Sequence, residues 1–118
     1  MELQENATGS DEISLQTISK SMLLLSGKWK MQIVVFLLQH GSTRFMDLQR
    51  GISHISPKIL SKALQELQLN DIVFRSESKH SCIAIEYELT AHGKTLRSLL
   101  RAIECWGIKH FDHLNRKN

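Results

Sequence analysis

Cysteine is scarce in this 118-residue chain, which contains only Cys82 and Cys105. The first residues are polar and acidic, without the basic start and apolar centre of a secretory signal, so we expect a cytoplasmic protein. Because the cytoplasm is reducing, both cysteines should be free thiols. Proline occurs once, as Pro57, at a point where a helix is expected to begin.

Long apolar runs are also absent. The longest uninterrupted run, Ile33–Leu38, is far shorter than the roughly 18 residues that a membrane-spanning helix needs, so no membrane contact is expected. Hydrophobic residues nevertheless make up 42% of the chain. That content is enough for one globular domain with an ordinary core and no stabilising metal.

The motifs of common enzyme classes are missing. The sequence has no glycine-rich phosphate loop, no spaced set of metal ligands and no nucleophile elbow. His110 and His113 have the i, i+3 spacing of a helical metal pair, but two histidines without further ligands are a weak pattern. We therefore predict a protein that is not an enzyme and that needs neither a metal nor another cofactor.

Basic residues are concentrated in the middle of the chain. Over the whole length, 15 Lys+Arg stand against 12 Asp+Glu, which gives a net charge of +3. Residues 28–79 contain eight basic side chains against four acidic ones, whereas residues 1–27 contain one lysine against four acidic residues. A basic centre favours a polyanionic partner such as DNA, although the same charges would also suit a merely soluble surface.

The segment 54–74 is the most informative about function. Ser56 is a favourable N-cap and Pro57 suits the first helical turn. The helix should end at Asn70-Asp71, and a β-rich run begins directly afterwards at Ile72, an order typical of a winged helix. Helical periodicity separates two faces. The buried face should contain Leu60, Ala63, Leu64 and Leu67, and the exposed face Lys58, Ser61, Lys62 and Gln65.

The residues before this segment predict the rest of a helix-turn-helix. Apolar residues recur at helical spacing in Leu15–Leu25, and Ser26-Gly27 should end that helix. Lys28–His40 predicts a second helix that is apolar nearly all round and must therefore be covered on several sides. Arg44-Phe45 should be extended and Met46–Ile52 a short helix, so that short helix, turn and longer helix follow in order.

Two strands and a long helix are predicted after residue 72. Val73–Ser76 and the strictly alternating Ile83–Leu89 should pair as a hairpin, joined by the polar connection Glu77–Cys82. Thr90 should cap a last helix of about twenty residues, roughly 30 Å long. A small three-helix core does not need such a length, so the surplus favours a dimer.

The predicted fold class is therefore α+β and mostly helical. It is a winged helix-turn-helix with a two- to three-stranded antiparallel wing and terminal dimerisation helices. We expect residues 13–112 to form this domain, between a flexible N-terminal arm at residues 1–12 and a C-terminal tail at residues 113–118.

Several short motifs occur in a fixed order between Leu15 and Phe111. They are Gly27-Lys28-Trp29, Arg44-Phe45, Ile55–Leu60, Glu86–Thr90 with Gly93, and Trp106-Gly107 with His110. In this order the chain resembles the HxlR-type winged-helix transcription regulators of the MarR/ArsR-like superfamily. The resemblance implies a homodimeric, sequence-specific regulator of transcription that binds double-stranded DNA at an inverted-repeat operator. It also implies that the terminal helices form the dimer, the helix from Ser56 enters the major groove, and the wing meets the backbone or minor groove.

The chain departs from the family pattern at two places. Many relatives carry a sensing cysteine about thirteen residues before the tryptophan of the first motif, and Gln16 stands there in this sequence. Residues 76–84 lack the proline and arginine that are common in the family's wing. Redox sensing is therefore not carried over, which leaves open an unknown small-molecule effector. Cys82, close to Lys79 and His80, could have a lowered pKa, but a structural or accidental cysteine is the favoured interpretation, and nothing identifies Cys105 as reactive.

The candidate DNA contacts follow from residue type. Lysine suits phosphate or guanine, glutamine suits adenine, and serine suits several partners. A solvated surface is the plain alternative for each position, and a protein-interaction module without sequence-specific DNA binding is the alternative function. The predicted DNA-binding residues are Lys28, Arg44, Ser56, Lys58, Ser61, Lys62, Gln65, Lys79 and His80. The predicted dimerisation residues are Ile18, Met22, Leu25, Leu99, Ile103, Trp106 and His110.

Overall fold

A computed structural model of the chain describes residues 12–79 and 83–117. Helices and strands alternate in the order expected of a winged helix, and the elements are numbered here along the chain. They are α1 (Leu15–Leu25), α2 (Lys30–His40), β1 (Thr43–Arg44), α3 (Phe45–Gly51), α4 (Pro57–Leu69), β2 (Val73–Lys79), β3 (Ile83–Leu89), α5 (Ala91–Lys94) and α6 (Leu96–Lys117).

The turn between α1 and α2 is longer than the sequence predicted. Gly27 has a φ of 102°, in the left-handed region that favours glycine, and it redirects the chain after α1. Lys28 lies in this turn and Trp29 is the N-cap of α2, so the helix begins at Lys30 instead of Lys28. The predicted start of α2 is therefore corrected by two residues.

The helix-turn-helix is formed by α3 and α4. The extended segment before α3 is Thr43–Arg44 and not the predicted Arg44-Phe45. Phe45 already belongs to α3, because the backbone pairing with β3 stops at Arg44. His54 has a φ of 68° in the turn that follows. The Ser56 hydroxyl oxygen accepts a hydrogen bond from the Ile59 N–H at 3.1 Å, and Pro57 occupies the first turn of α4. The predicted start of this helix is confirmed.

One apolar core joins the helix-turn-helix to the base of the wing. The buried residues of α4 are the four that the periodicity predicted, and each is at most 7% exposed. They pack with buried residues from α2, α3, the two turns that flank α4, and the first residue of β2 and last residue of β3. The core consists of Ile33, Val34, Leu37, Leu48, Ile52, Ile55, Leu60, Ala63, Leu64, Leu67, Ile72, Val73 and Leu89.

The wing is a three-stranded antiparallel sheet in the order β1-β3-β2. Val73 pairs with Leu89 at its base, and the pairing continues to Lys79 opposite Ile83. The predicted end of the first strand at Ser76 is wrong, because backbone pairing does not require apolar side chains on a solvent-facing ribbon. Lys79 therefore belongs to a strand, while His80 lies outside the described residues, as does Cys82.

The C-terminal region contains two helices instead of one. Thr90 caps α5 by accepting a hydrogen bond from the Gly93 N–H at 2.8 Å, as its predicted capping role requires. Thr95 then interrupts the helix, and its hydroxyl donates to the His92 carbonyl at 2.6 Å. The long helix α6 has 22 residues and continues to Lys117, so residues 113–117, which the sequence assigned to a tail, are helical.

Within the described residues, no single helix is both long and apolar enough to cross a membrane. The helices α1 and α2 reach that length and composition only when they are taken together, across a bend of 74°.

Candidate nucleic-acid interface

The exposed face of α4 carries the four side chains that the sequence predicted for it. Lys58, Ser61, Lys62 and Gln65, called the reading face below, are all exposed. They extend over about 10 Å of the helix. Within the described part of the chain, neither lysine forms an ion pair, so both charges are available to an external anion. Hydrogen-bonding groups and two cations are thus presented on the side of α4 that faces away from the core.

The turn before α2 lies next to the N-terminal half of α4. Lys28 and Lys62 line the same shallow groove, of about 210 Å³, together with Ile59. The Lys28 ammonium lies 4.8 Å from the centre of the Trp29 ring, in a cation–π contact. The structure therefore brings Lys28, which the sequence assigned to phosphate binding, close to the reading face.

Lys30 is a residue of this interface that sequence reasoning missed. Its ammonium lies 2.7 Å from Oε1 of Glu66, an acidic residue one turn after Lys62. The hydrogen bond and the charge of Lys30 lower the pKa of the Glu66 carboxyl, partly opposed by burial and further assisted by the charge of Lys62. Periodicity could place Glu66 on the edge of the exposed face, but no local signal connected it with residue 30.

The remaining predicted DNA contacts lie at several places. Ser56 is exposed, and its side-chain oxygen caps α4. Arg44 is exposed at the end of β1, opposite Glu86 of β3. Lys79 ends β2, where it pairs with Ile83. Arg75, which the sequence analysis did not select, is an exposed cation on the same strand. The described wing also carries acidic residues, namely Glu77, Glu86 and Glu88.

The predicted dimerisation residues lie on α1 and α6. Five of the seven line one apolar groove of about 560 Å³ between these helices, called the terminal groove below. They are Ile18, Met22, Leu25, Leu99 and Ile103. Further along α6, Trp106 is 65% exposed and its ring stacks on that of His110, with 4.6 Å between centroids. Both helices lie wholly within the described residues, and neither has a buried side chain.

The described residues contain few candidate groups for metal binding or thiol chemistry. Among them, no group of three or more His, Cys, Asp or Glu side chains is arranged to hold a metal ion. Cys105 is an exposed free thiol on α6. Within the described part of the chain, the features suited to binding are therefore the basic side of α4 and the exposed apolar faces of α1 and α6.

Comparison with known proteins agrees with this arrangement. The family described as HxlR-like helix-turn-helix matches residues 24–115. The HTH-type transcriptional regulator BH0655 of Halalkalibacterium halodurans is 37% identical over 90 residues, which cover 76% of this chain and 80% of that protein. The HTH-type transcriptional regulator YdzF of Bacillus subtilis is 35% identical over 88 residues, covering 75% and 81%.

A solved structure shares the fold over nearly the whole chain. A transcriptional regulator of the MarR family from Enterococcus faecalis superposes with a TM-score of 0.79 at 26% identity, covering 92% of this chain and 99% of that one. The overall fold described above is therefore shared with a transcriptional regulator of known structure. The chain belongs to the HxlR-like helix-turn-helix family and is a winged-helix, DNA-binding regulator of transcription.

Proposed function

We propose that the protein binds an inverted-repeat operator as a homodimer, with α4 of each protomer in the major groove of one half-site. The observation that carries the proposal is the division of α4 into two faces. Four buried residues fix the helix to the core, while the reading face is exposed, with two lysines that form no ion pair among the described residues. Binding at a promoter would change the access of RNA polymerase, in the cytoplasm where the DNA is found.

Each residue of the reading face has a role suited to its chemistry. The N-terminal part of a recognition helix generally approaches the bases, which favours Lys58, Ser61 and Lys62 as the deepest contacts. A lysine can donate to guanine or to phosphate, and Gln65 can donate to and accept from adenine. Lys28 is close enough to the reading face to contact a flanking phosphate, whereas Arg44 and the wing would contact the backbone farther away.

The terminal helices supply the proposed dimer contact. An apolar surface as extensive as the terminal groove and the α6 residues beyond it is unusual on a monomer. The described chain has a radius of gyration of 17.2 Å, whereas a compact domain of about 100 residues has about 13 Å. Helices that extend from the core with exposed apolar faces are suited to pairing with the same helices of a second copy. An unidentified small-molecule effector would act by changing this pairing, because the pairing of the terminal helices sets the distance between the two copies of α4.

Salt-dependent binding to duplex DNA tests the proposal. Fluorescence anisotropy with a labelled random-sequence duplex should give a dissociation constant that rises steeply with salt, since lysines and arginines displace condensed counterions. A matched titration with heparin controls for attraction to any polyanion. A duplex recovered from a random DNA pool by repeated selection for binding should compete far better than heparin. Undetectable binding to duplex DNA at low salt would instead favour a winged helix that serves as a protein-interaction module.

A further inference from the structure

An ion pair connects the start of α2 with the DNA-facing side of α4. The Lys30 ammonium is 2.7 Å from Glu66 Oε1, and the two side chains are 17% and 39% exposed. The pairs Asp47–Arg50, Arg101–Glu104 and Asp112–Arg116 differ, because each joins two more exposed residues of the same helix. The Lys30–Glu66 pair is therefore better shielded from water, and it joins two helices through residues that are 36 positions apart in sequence.

Glu66 is in an unfavourable place for a DNA-binding surface. It is the only acidic residue of α4, and it lines the same groove as Lys28 and Lys62. An unopposed carboxylate there would repel the phosphates that the two lysines are expected to attract. The pKa of Glu66 lies below its ordinary value of 4.5, mainly because of Lys30, so the carboxylate is ionised at neutral pH and Lys30 is its nearest countercharge.

The same ammonium also contacts α1. Lys30 Nζ donates to the Leu24 carbonyl at 3.4 Å, in the last turn of that helix. The free carbonyls at the end of a helix favour a nearby cation. One side chain therefore lies between the helix assigned to the dimer and the helix assigned to DNA.

We propose that Lys30 is a positioning residue for DNA binding, which acts by neutralising the single carboxylate of α4. The inference rests on the proposed function, since it assumes that α4 meets DNA. It assigns Lys30 no contact with DNA: its effect on affinity passes through Glu66.

A double-mutant cycle in the full-length protein tests this role. Lys30→Met keeps most of the side-chain length and removes the charge, and Glu66→Gln keeps the shape and removes the carboxylate. Affinity is measured by fluorescence anisotropy on the tightest duplex recovered from a random pool. Lys30→Met should weaken binding about tenfold. Glu66→Gln and the double variant should both bind within about threefold of the wild type, because the uncompensated carboxylate is gone.

Two control variants narrow the interpretation. Lys109→Met removes the same charge from an exposed position on α6 and should change affinity less than about twofold, whereas Lys30→Arg keeps the ion pair and should bind like the wild type. The salt dependence gives a second readout. If Lys30 contacted a phosphate itself, the slope of log Kd against log salt would fall by about one and would stay lowered in the double variant.

Three results would overturn the inference. They are wild-type affinity of Lys30→Met, a double variant as weak as Lys30→Met, and a double variant with a persistently lowered salt slope. If Lys30→Met melts below the assay temperature, Lys30→Gln replaces it under the same criteria. A wild-type protein that binds no duplex would overturn the proposed function together with this inference, whereas normal wild-type binding that is insensitive to residue 30 would overturn the inference alone.

Discussion

Lys62 and Leu64 are two positions apart on α4 but face opposite sides of it. Leu64 is 1% exposed in the core, whereas Lys62 is exposed beside the groove that contains Lys28. An alanine substitution at each position should therefore change a different property of the protein. Leu64→Ala should reduce stability and leave the affinity of the folded protein for DNA nearly unchanged, while Lys62→Ala should do the reverse.

The expected effects of the two substitutions on stability and on DNA affinity differ enough to be measured. Removing a fully buried leucine side chain costs about 2–5 kcal/mol, because transfer energy is lost and a cavity remains. In a chain of this size that cost lowers the Tm by on the order of 10 °C. Lys62→Ala should change the free energy of unfolding by less than about 0.5 kcal/mol. If Lys62 contacts a base, its loss should weaken specific binding by about 1–3 kcal/mol, or about 5- to 150-fold.

Urea denaturation and fluorescence anisotropy measure the two properties separately. Both variants should be compared below the melting temperature of Leu64→Ala, so that the anisotropy reports on folded protein. The reasoning is refuted if Lys62→Ala binds the operator as tightly as the wild type. It is equally refuted if Lys62→Ala loses as much stability as Leu64→Ala, since Lys62 would then belong to the packing of the domain.

Three further predictions concern the dimer, the contact between α5 and the residue before β2, and the response to acid. Ile103→Asp should raise the dimer dissociation constant about 100-fold or more, because an unpaired carboxylate buried in an interface costs about 3 kcal/mol or more. In sedimentation equilibrium the matched control Ile108→Asp, on the opposite side of α6, should remain dimeric; equal dissociation of both variants would contradict the assigned face. Gly93→Ala should lose about 1–3 kcal/mol in chemical denaturation, because the added Cβ would lie 2.1 Å from the Ile72 carbonyl oxygen. Gly107→Ala, whose added Cβ meets no heavy atom closer than 3.8 Å, should lose nothing, and an equal loss in both would rule out the clash. Since the pKa of Glu66 is lowered in the folded chain, its stabilisation is present above pH 4.5 and is lost as the pH falls through the lowered value. Urea denaturation of wild type and Glu66→Gln from about pH 6 to pH 3 should therefore show the smaller acid-induced loss in Glu66→Gln, and parallel curves would count against the ion pair.

The helix α4 could be predicted in detail because its signals are local. Ser56 and Pro57 mark its start through capping and a fixed backbone angle, and both effects act within one turn. Its buried face follows from the helical period, and Leu60 and Leu67 lie where that period placed them. The exposed positions of the reading face follow from the same period, whereas their contacts with DNA remain predictions.

The features that were missed depend on contacts between distant parts of the chain. The Lys30–Glu66 ion pair requires the packing of α2 on α4, which no spacing within either helix reveals. The strand β2 continues past Ser76 because β3 lies beside it, although its own side chains are polar. The break between α5 and α6 at Thr95 accompanies the close approach of Gly93 to the carbonyl of Ile72, and these two residues are 21 positions apart in sequence.

Selection of bound sequences from a random pool of duplex DNA tests most directly whether two copies of α4 read DNA as a dimer. The recovered sequences should share a palindromic consensus, with half-sites centred about one helical turn, roughly 10–11 base pairs, or slightly more apart. Enrichment of a single half-site without symmetry would contradict dimeric reading, and no enrichment over the starting pool would contradict sequence-specific binding altogether.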